Sequence, residues 1–378
     1  MLYSQIISNF SELKGYEREW NALVVESNDN IFLSWEWIST WWEFFGKDSI
    51  LFVVLVKNEK GEVVGIAPLK ISLQRVFGFV PARLVEFIGS NSLLAPEYLD
   101  FIVSKQNYPE IVEEIVSALT KNRKSWDVLN LSDIDESSPV LPVLNQLFSR
   151  DKMVIWQRVY NTCPSLKLPA SWDELLSSYS HNMRRTIRRT RKRLEESSGI
   201  RFVHVEDSNC LPQAFQHAAR LHQLSRQKKG EKGNFGKKNY LPFHLKFAQA
   251  IASKNWLYLA FIEADKKPIA FRYGYLYNQK YYDYQTGYDP QFEKSRVGWV
   301  MLGYVIEDLI QKSVREFDFL RGGHDYKWHW AKGFRRTVFF CSFQYNPTSL
   351  LLYLWWRVKK QTKKLLFPPE SEVPCEKN

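Results

Sequence analysis

Residues 257–277 read LYLAFIEADKKPIAFRYGYLY, two β-rich runs separated by a charged turn at Ala264–Lys267. Branched and aromatic residues on both sides of a short polar turn predict a β-hairpin. Residues 51–71, LFVVLVKNEKGEVVGIAPLKI, repeat the pattern with a polar turn at Asn58–Gly61. The two segments match in pattern rather than in identity. The chain is therefore predicted to contain the same supersecondary unit twice.

The segments that follow the two hairpins also correspond. After the first hairpin, EIVEEIVSALTKN (110–122) carries its apolar residues at helical spacing, and WDVLNLSDI (126–134) has the composition of a strand. After the second hairpin, GWVMLGYVIEDLIQKS (298–313) is helical by the same criterion, and REFDFLRGG (315–323) is a short strand ending in two glycines. A duplication on this scale predicts an α/β protein with two similar domains in tandem.

Each half also opens with a predicted helix. In FLSWEWISTWWEFFG (32–46) the apolar residues share one face and Ser34 is a candidate N-cap. In the second half, Ser180 is the candidate N-cap of HNMRRTIRRTRKRLEESS (181–198). Two prolines in residues 160–171 interrupt the pattern between the halves. The predicted divisions are a first domain over residues 1–165, a second domain over residues 166–346 and a C-terminal tail over residues 347–378.

Composition restricts the class of protein. The chain has 378 residues, which suits two domains, and its 52 Lys and Arg against 41 Asp and Glu give a net charge of +11. Such a charge indicates an anionic partner, either nucleic acid, acidic lipid or a phosphate-rich cofactor. The four cysteines lack metal-ligand spacing, and neither a secretory signal nor a membrane-spanning segment is visible. We therefore expect a reduced cytoplasmic protein without a bound metal.

The helix predicted over 181–198 is the most basic segment of the chain. Its narrow apolar stripe of Met183, Ile187 and Leu194 can dock on the body of the protein. Like charges packed this closely are unfavourable without an anionic partner, which favours a face that binds RNA, phosphate or anionic lipid. Two glutamates near the end of the helix partly neutralise it, so a solvated face stays an alternative. The cationic residues are Arg184, Arg185, Arg188, Arg189, Arg191, Lys192 and Arg193.

A second candidate site lies in GYDPQFEKSRVGWVML (287–302), where a turn containing Asp289 precedes an apolar helix. Free backbone N–H groups and the helix dipole make the start of a helix an anion site, and a glycine such as Gly298 lets a phosphate approach the backbone. Arg296 adds a charged contact. An ordinary helix start is the alternative. The first half has no glycine at the matching place, so only the second half is predicted to bind phosphate.

A third candidate is FDFLRGGHDYKWHW (317–330), in which two glycines break a strand and titratable residues follow. These residues form either an active-site loop or a surface turn whose aromatic side chains pack onto the core. No nucleophile elbow, Walker loop or HExxH motif is present, which makes covalent, P-loop and zinc-protease chemistry poor candidates.

The order of hairpin, GYDP…SRVG, apolar helix, FDFLRGG and DYKWHW resembles the GNAT-type acetyltransferase domain of the CelD/BcsL family, which is associated with bacterial cellulose and exopolysaccharide production. The resemblance is strongest over residues 179–343, and FLSWEWISTWW (32–42) is also similar to that family. FemAB-like relatives carry two such domains in tandem. The resemblance implies two GNAT-like domains with mixed, mostly antiparallel sheets flanked by helices. It also implies transfer of an acyl group, expected to be acetyl, from acyl-CoA to a hydroxyl or amine of a carbohydrate or cell-envelope precursor.

The resemblance places the acyl-CoA donor at the turn before the apolar helix. The family's phosphate loop reads Q/R-x-x-G-x-G/A, and aligning its first glycine with Gly298 puts Ser295 at the Q/R position and Val300 at the second small position. Because this loop departs from the pattern, aminoacyl-tRNA, the donor of FemAB-like enzymes, stays an alternative that uses the arginine-rich helix. The predicted donor-binding residues are Ser295, Arg296, Val297, Gly298 and Trp299.

The resemblance also implies catalytic roles, since GNAT-type transfer uses a base for the acceptor and often a tyrosine as acid for the leaving thiolate. Tyr326 suits the acid role, and Lys327 is predicted to bind phosphate or stabilise the oxyanion. The candidates for the base are Asp325, Asp289 and His324. The predicted substrate-binding residues are Trp35 and Trp37, for stacking on sugar, and Arg184 and Arg185.

The tail LLLYLWWRVKKQTKKLLF (350–367) is too short in its apolar part to span a bilayer, but tryptophans beside lysines suit an anionic membrane interface. Its alternative is a C-terminal helix packed on the second domain. The protein is accordingly expected in the cytoplasm, with peripheral association at the inner face of the cytoplasmic membrane. A catalytically inactive GNAT-like scaffold of a polysaccharide-synthesis complex stays a further alternative to an enzyme.

Overall fold

The computed structural model describes residues 1–27, 29–76, 79–90, 93–151, 153–197, 199–322 and 325–366. The α-helices are α1 Phe10–Leu13, α2 Glu17–Glu26, α3 Trp35–Phe45, α4 Tyr108–Lys121, α5 Val140–Arg150, α6 Trp172–Ser177, α7 His181–Ser197, α8 Leu211–Lys228, α9 Tyr240–Ala252, α10 Val297–Gln311, α11 Asp325–Trp330 and α12 Pro347–Leu366. The strands are β1 Tyr3–Ile7, β2 Ser49–Leu51, β3 Val53–Lys57, β4 Val63–Ala67, β5 Leu69–Val76, β6 Val80–Phe87, β7 Ile102–Val103, β8 Val128–Asp135, β9 Val154–Lys167, β10 Ile200–His204, β11 Leu257–Ala264, β12 Lys267–Tyr277, β13 Lys280–Tyr288, β14 Glu316–Asp318 and β15 Gly333–Phe343.

Most of the strands belong to one eleven-stranded sheet with the order β10-β11-β12-β13-β14-β9-β15-β8-β6-β5-β2, and a separate sheet has the order β1-β3-β4-β7. Within the large sheet, β13 and β14 are parallel, as are β6 and β8, and the other described pairs are antiparallel. Each parallel pair needs a crossover, which α10 supplies in the second half and α4 in the first. The mixed, mostly antiparallel sheets flanked by helices confirm the predicted fold class.

The two halves exchange their last strands. β9 follows β8 in the chain but pairs with β14 of the second half, and β15 pairs with β8 of the first half. β9 and β15 also pair with each other along their length, from Gly333 opposite Ser165 to Phe343 opposite Val154. The predicted limit at residue 165 falls inside β9, and the division into domains stays a prediction.

The hairpin predicted over 257–277 is formed by β11 and β12. The hairpin predicted over 51–71 is bent, because it divides between the two sheets at Phe52 and Pro68. Proline cannot donate to a strand ladder, and at this position it separates β4 from β5. The helices predicted over 32–46, 110–122, 181–198 and 298–313 are α3, α4, α7 and α10.

The core is continuous across the halves. Trp37 of α3 packs edge-on against Phe243 and Phe247 of α9, with ring centroids 5.1 and 5.0 Å apart. A second cluster lies under α10, where Met301, Val305 and other apolar residues pack against β11, β12 and β14. The aromatic residues abundant in the sequence are therefore largely core residues.

The part of the predicted tail that the structure describes forms α12, which packs on β15 and β6, and residues 367–378 lie outside the described residues. Leu352 is fully buried there, and the rings of Tyr353 and Trp356 lie 5.3 and 5.6 Å from the ring of Phe343. Within the described residues, no helix combines the length and the apolar character needed to cross a membrane.

Candidate active site

Two cavities adjoin beyond the end of β14. This short strand pairs only with Lys280–Tyr282 of β13, and the β13 residues that follow line the cavities. The first cavity, about 320 Å³, lies at the start of α10 and is here called the α10 cavity. The second, about 240 Å³, lies between the two halves and is called the inter-half cavity. Arg226, Thr286 and Tyr326 line both cavities, so the two spaces adjoin at these residues.

The α10 cavity is bounded by the first residues of α10. Arg296, the N-cap residue, has a left-handed backbone (φ 54°), and no side chain caps the helix. Arg296 O accepts from the N–H groups of Trp299 and Val300, whereas those of Val297 and Gly298 have no acceptor in the described part of the chain. Unpaired N–H groups at a helix start attract anions. The predicted turn therefore borders an open cavity with its donors available.

Cations surround this cavity. Arg226, Lys229, Arg272 and Arg296 line it, against one carboxylate, Glu293, which is paired with Lys228. Arg226 is 2.6 Å from Glu231, and the guanidinium of Arg296 lies over the Trp299 ring at 5.8 Å from its centroid. The surplus of positive charge favours an anionic ligand such as a diphosphate.

Gly298 lies close to an aromatic wall of the cavity. A Cβ at this position meets Cδ1 of Tyr288 at 3.3 Å, tighter than an ordinary contact. Four of the five predicted donor-binding residues line the cavity, namely Arg296, Val297, Gly298 and Trp299. Ser295, the fifth, does not line it and ends the short 3₁₀-helix Pro290–Ser295 that precedes α10.

The inter-half cavity is closed on one side by a loop of the first half. Leu93, Leu94, Ala95 and Glu97 belong to this loop, and Tyr284 of β13 donates a hydrogen bond from its hydroxyl to the carbonyl of Leu94. The opposite wall comes from the second half. Its remaining lining residues are Asn234, Tyr240, Asp283, Gln285, Leu320, Arg321 and Lys327, together with the three shared ones.

Tyr326 stands at the junction of the two cavities. Its ring lies beneath the guanidinium of Arg272, 5.6 Å from the ring centroid. Burial raises the pKa of the Tyr326 hydroxyl above its usual value, while the charge of Arg272 opposes the rise. The hydroxyl is therefore protonated at neutral pH, the state that an acid catalyst requires.

A buried ion pair connects the two cavities. Arg272 of β12 pairs with Asp283 of β13, and each side chain is 2% exposed. Arg272 lines the α10 cavity, and Asp283 lines the inter-half cavity. A buried pair of this kind fixes both strands, because either charge alone is costly to bury.

Lys327 lines the inter-half cavity, but its ammonium group donates to three backbone carbonyls. The acceptors are the carbonyls of Phe319 at 2.7 Å, Leu320 at 3.3 Å and Arg321 at 2.6 Å. Burial lowers the pKa of Lys327 from its usual value. These bonds hold the loop after β14 against α11, and the direct phosphate or oxyanion role stays a prediction.

Two of the three candidates for the base, Asp289 and Asp325, do not line the cavities. Asp289 caps the 3₁₀-helix by accepting from the N–H of Gln291, and it lines neither cavity. Asp325 is exposed at the start of α11 and also lines neither. His324 lies outside the described residues. The surroundings of Asp289 and Asp325 therefore do not support the base role that the sequence predicts for them.

The structure corrects the prediction that Trp35 and Trp37 stack on a sugar. Trp37 is fully buried and Trp35 is 5% exposed, because α3 turns its aromatic face into the core between α2 and α9. Neither ring offers a face to a ligand. Arg184 and Arg185 lie on α7 beside a surface groove of about 500 Å³, away from both cavities. Arg184 donates to the carbonyls of Ser177 and Tyr179, at 3.2 Å each.

Sequence reasoning missed Arg272, Asp283, Arg226, Glu97 and Arg321. A signal for two of them was present, since Arg272 interrupts an apolar strand in KPIAFRYGYLY and Asp283 does so in KYYDYQTGY. A charged residue inside a buried strand requires a partner, and two such residues on adjacent strands supply one another. Glu97 and Arg321 carry no comparable local signal, because they meet only through the packing of the two halves.

Within the described residues, no group of three or more His, Cys, Asp or Glu side chains is arranged to hold a metal ion. Among the titratable groups around the cavities, Asp283 and Glu97 pair with arginines, Glu293 pairs with Lys228, and Lys327 donates to backbone carbonyls.

Residues 181–328 match the family described as an acetyltransferase (GNAT) domain. The matched segment runs from α7 to α11 and includes the start of α10, the Arg272–Asp283 pair and Tyr326. No curated protein sequence matches the chain. The second half therefore contains a GNAT domain, and the protein is a transferase.

Solved structures extend the similarity over both halves. The chain is similar to FemX, with a TM-score of 0.62 and 11% identity over 89% of this chain and 98% of FemX. It is also similar to L-PGS from Bacillus licheniformis, with a TM-score of 0.52 and 11% identity over 91% of this chain and 97% of L-PGS. At these identities the similarity shows a shared fold that spans nearly the whole chain.

Proposed function

We propose that the protein transfers an acyl group, expected to be acetyl, from acyl-CoA to a hydroxyl or amine of a carbohydrate or cell-envelope precursor. The single observation that carries the proposal is the junction at Tyr326. There, a cationic cavity at an uncapped helix start adjoins a second cavity between the halves. The resemblance to the CelD/BcsL family favours an acceptor in exopolysaccharide or cellulose production.

The α10 cavity suits the donor. The N–H groups of Val297 and Gly298 and the guanidinium of Arg296 are placed to bind a diphosphate. The acyl end of a donor held there extends along β13 towards Tyr326, because β13 lines both cavities. This arrangement supports a transfer reaction at the point where the two cavities adjoin.

The inter-half cavity suits the acceptor. Its walls combine polar groups such as Gln285, Asn234 and Asp283 with the apolar side chains of Leu93 and Leu94. An acceptor hydroxyl or amine held here attacks the thioester carbonyl, and the C–S bond breaks. The hydroxyl of Tyr326, protonated at neutral pH, supplies the proton that the leaving thiolate takes.

A calorimetric titration with acetyl-CoA tests the donor site. The variant Gly298→Asp introduces a carboxylate beside the proposed diphosphate, and we expect at least about a tenfold loss of affinity, equivalent to about 1.4 kcal/mol. Gly15→Asp is the matched control, because Gly15 has open space around it in a distant 3₁₀-turn. Absence of binding by the unsubstituted chain, or equal binding by Gly298→Asp, contradicts the proposal.

An aminoacyl-tRNA donor is the second candidate, and α7 favours it. Arg185, Arg188 and Arg189 on this helix form no ion pair within the described residues, unlike Arg191, which pairs with Glu195 and Glu307. Unpaired arginines on one face suit a nucleic-acid backbone. This candidate also accommodates the departure of the phosphate loop at Ser295.

Filter binding to bulk tRNA at several salt concentrations separates the two donors. If tRNA is the donor, binding weakens steeply with salt and falls when Arg185, Arg188 and Arg189 become alanine. If acyl-CoA is the donor, the triple variant keeps its acetyl-CoA affinity. A chain that binds neither donor is instead expected to act as a scaffold of a polysaccharide-synthesis complex.

A further inference from the structure

Glu97 is a buried carboxylate that lines the inter-half cavity from the first half of the chain. Its residue is 1% exposed. Its Oε1 atom accepts from Arg321 twice, from Nε at 2.6 Å and from the backbone N–H at 3.1 Å. Its Oε2 atom is buried and has no hydrogen-bond partner in the described part of the chain. Burying an unpaired carboxylate oxygen is costly, so a free oxygen at a cavity wall requires an explanation.

The surroundings hold Glu97 in one orientation. Arg321 reaches it from the loop after β14, and the same guanidinium donates to the carbonyl of Pro96 at 2.8 Å and lies 3.0 Å from Asp133 on β8. Asp133 is itself held by Asn161, whose amide donates to it at 2.8 Å. One oxygen of Glu97 is therefore occupied by the arginine, and the other has no partner among the described residues, on a side chain that lines the cavity.

Two carboxylates share one guanidinium in this cluster. Burial raises the pKa of Glu97 to about 7, with the charge of Asp133 adding to the rise and the charge of Arg321 opposing it. Glu97 therefore exchanges its proton near neutral pH, which suits a general base. The other titratable groups that interact with Glu97 are Tyr98 beside it, Cys163 on β9, Tyr284 on β13 and Lys327 on α11.

We propose that Glu97 is the base that takes the proton from the acceptor hydroxyl or amine, with Arg321 orienting its carboxylate. The inference rests on the proposed function and names a residue outside the segment that matches the GNAT domain. It supplies the base that Asp289 and Asp325 do not provide. The acceptor side of the site is then built by both halves, with Glu97 from the first and Tyr326 from the second.

The proposed reaction transfers the acyl group with one proton transfer to Glu97 and one from Tyr326. The acceptor N–H or O–H loses its proton to Oε2 of Glu97 as its nitrogen or oxygen bonds to the thioester carbon. The C–S bond then breaks, and the thiolate takes the proton of the Tyr326 hydroxyl. Glu97 afterwards releases its proton to water, and Tyr326 regains one from water. No oxidant, reductant or further reactant is needed.

The test measures thiol release from acetyl-CoA with glucosamine as the acceptor, between pH 5.5 and 9. For the unsubstituted chain we expect kcat to rise with pH through a midpoint near 7, because only ionised Glu97 accepts a proton. Glu97→Gln keeps the acceptor for Arg321 and the shape of the side chain. We expect it to lose about 100-fold or more in kcat at pH 8 and to lose the pH dependence.

A second variant distinguishes a base from a structural residue. Asp133→Asn removes the charge that helps to raise the pKa of Glu97, so the midpoint of the kcat profile moves to lower pH. Glu97 does not line the α10 cavity, so Glu97→Gln keeps its acetyl-CoA affinity. That affinity also shows that the variant is folded.

The outcomes separate the two proposals. Full kcat and an unchanged pH profile in Glu97→Gln overturn the assignment of Glu97 while the transferase activity stands. A midpoint that stays in place in Asp133→Asn also counts against the assignment. No thiol release above the buffer control by the unsubstituted chain overturns the proposed reaction itself, and the role of Glu97 with it.

Discussion

The two halves of the molecule each place a buried ion pair on equivalent strands of the sheet, but the surroundings of the two pairs differ. In the second half, Arg272 of β12 pairs with Asp283 of β13, next to the parallel pair β13–β14. In the first half, Lys70 of β5 pairs with Glu86 of β6, next to the parallel pair β6–β8. The two pairs occupy equivalent strands on either side of β9 and β15.

The ion pair in the first half is enclosed by hydrogen-bond partners and does not border either cavity. Glu86 accepts from Lys70 at 2.9 Å, from Ser72 at 2.6 Å and from Asn130 at 2.6 Å, and it lines neither cavity. The pair in the second half instead has one residue in each cavity. The buried ion pair of the first half therefore contributes only to stability. The buried ion pair of the second half also forms part of the walls of the two cavities. The two ion pairs differ in their surroundings, because only the second-half pair lies beside the uncapped start of α10 and the loop that carries Glu97.

Removing the carboxylate from either ion pair is expected to change the free energy of unfolding more than any other substitution considered. Asp283→Asn leaves Arg272 buried without a counter-charge, and Glu86→Gln does the same to Lys70, so each is expected to lower the free energy of unfolding by about 3–5 kcal/mol. Denaturant unfolding measures both losses. Only Asp283→Asn is expected to reduce thiol release per folded molecule. Equal losses of activity in the two variants would contradict the claim that only the second-half ion pair contributes to the site.

The next effect concerns the loop of the first half that enters the site. The pKa of Glu97 is raised from 4.5 to about 7, so its stabilising contribution is fully present below pH 4.5 and is lost as pH rises through 7. The shift corresponds to on the order of 3 kcal/mol. We expect Glu97→Gln to gain stability relative to the unsubstituted chain between pH 5 and pH 8, measured by urea unfolding. Glu113→Gln, on the exposed side of α4, serves as control and is expected to show no such trend.

The variant Tyr326→Phe tests the proposed acid role of this residue in the second half. Without its hydroxyl no acid protonates the leaving thiolate, and we expect kcat to fall about 100-fold, equivalent to about 2.7 kcal/mol, with little change in KM. Tyr258→Phe is the matched control. Its hydroxyl donates to Asp308 at 2.9 Å and lies outside both cavities, so its loss is expected to cost about 1 kcal/mol of stability and no activity. A Tyr326→Phe variant with normal kcat contradicts the acid role.

The smallest expected effect lies on α12, which has no counterpart in the first half. Leu350, Leu351 and Leu354 are exposed on this helix, and its sequence continues with Arg and Lys residues between 357 and 364 and no acidic residue. We propose that this surface contacts anionic membrane. Replacing the three leucines by serine is expected to lower flotation with phosphatidylglycerol-containing liposomes several-fold. Unchanged flotation, or equal binding to neutral liposomes, counts against the contact.

The sequence predicted the architecture well because its signals are local. The two hairpins, the helices α3, α4, α7 and α10, and the turn at Gly298 that borders a cavity each follow from the spacing of apolar residues or from turn residues. The acid role of Tyr326 was predicted from the resemblance of FDFLRGG and DYKWHW to a family, and it stays a prediction. Each of these signals lies within a segment of fewer than thirty residues.

What the sequence did not reveal depends on contacts between distant segments. Glu97 and Arg321 are separated by 224 positions and meet only because the first-half loop packs over β13 and β14. Trp37 is buried against Phe243 and Phe247 of α9, more than 190 positions away, so its spacing in the sequence alone was equally compatible with a binding surface. The bend of the first hairpin at Pro68 was visible as a proline but not as a change of sheet.

The exchange of β9 and β15 has a consequence for how the chain is made. As the ribosome releases the first half, β8 lacks one of its two neighbours, because β15 is synthesised only after β9 to β14. An unpaired strand edge invites association with other chains until it is covered. The nascent protein is therefore exposed to misassembly until β15 emerges, and a message truncated before residue 333 yields a product without the strand that joins β8 to β9.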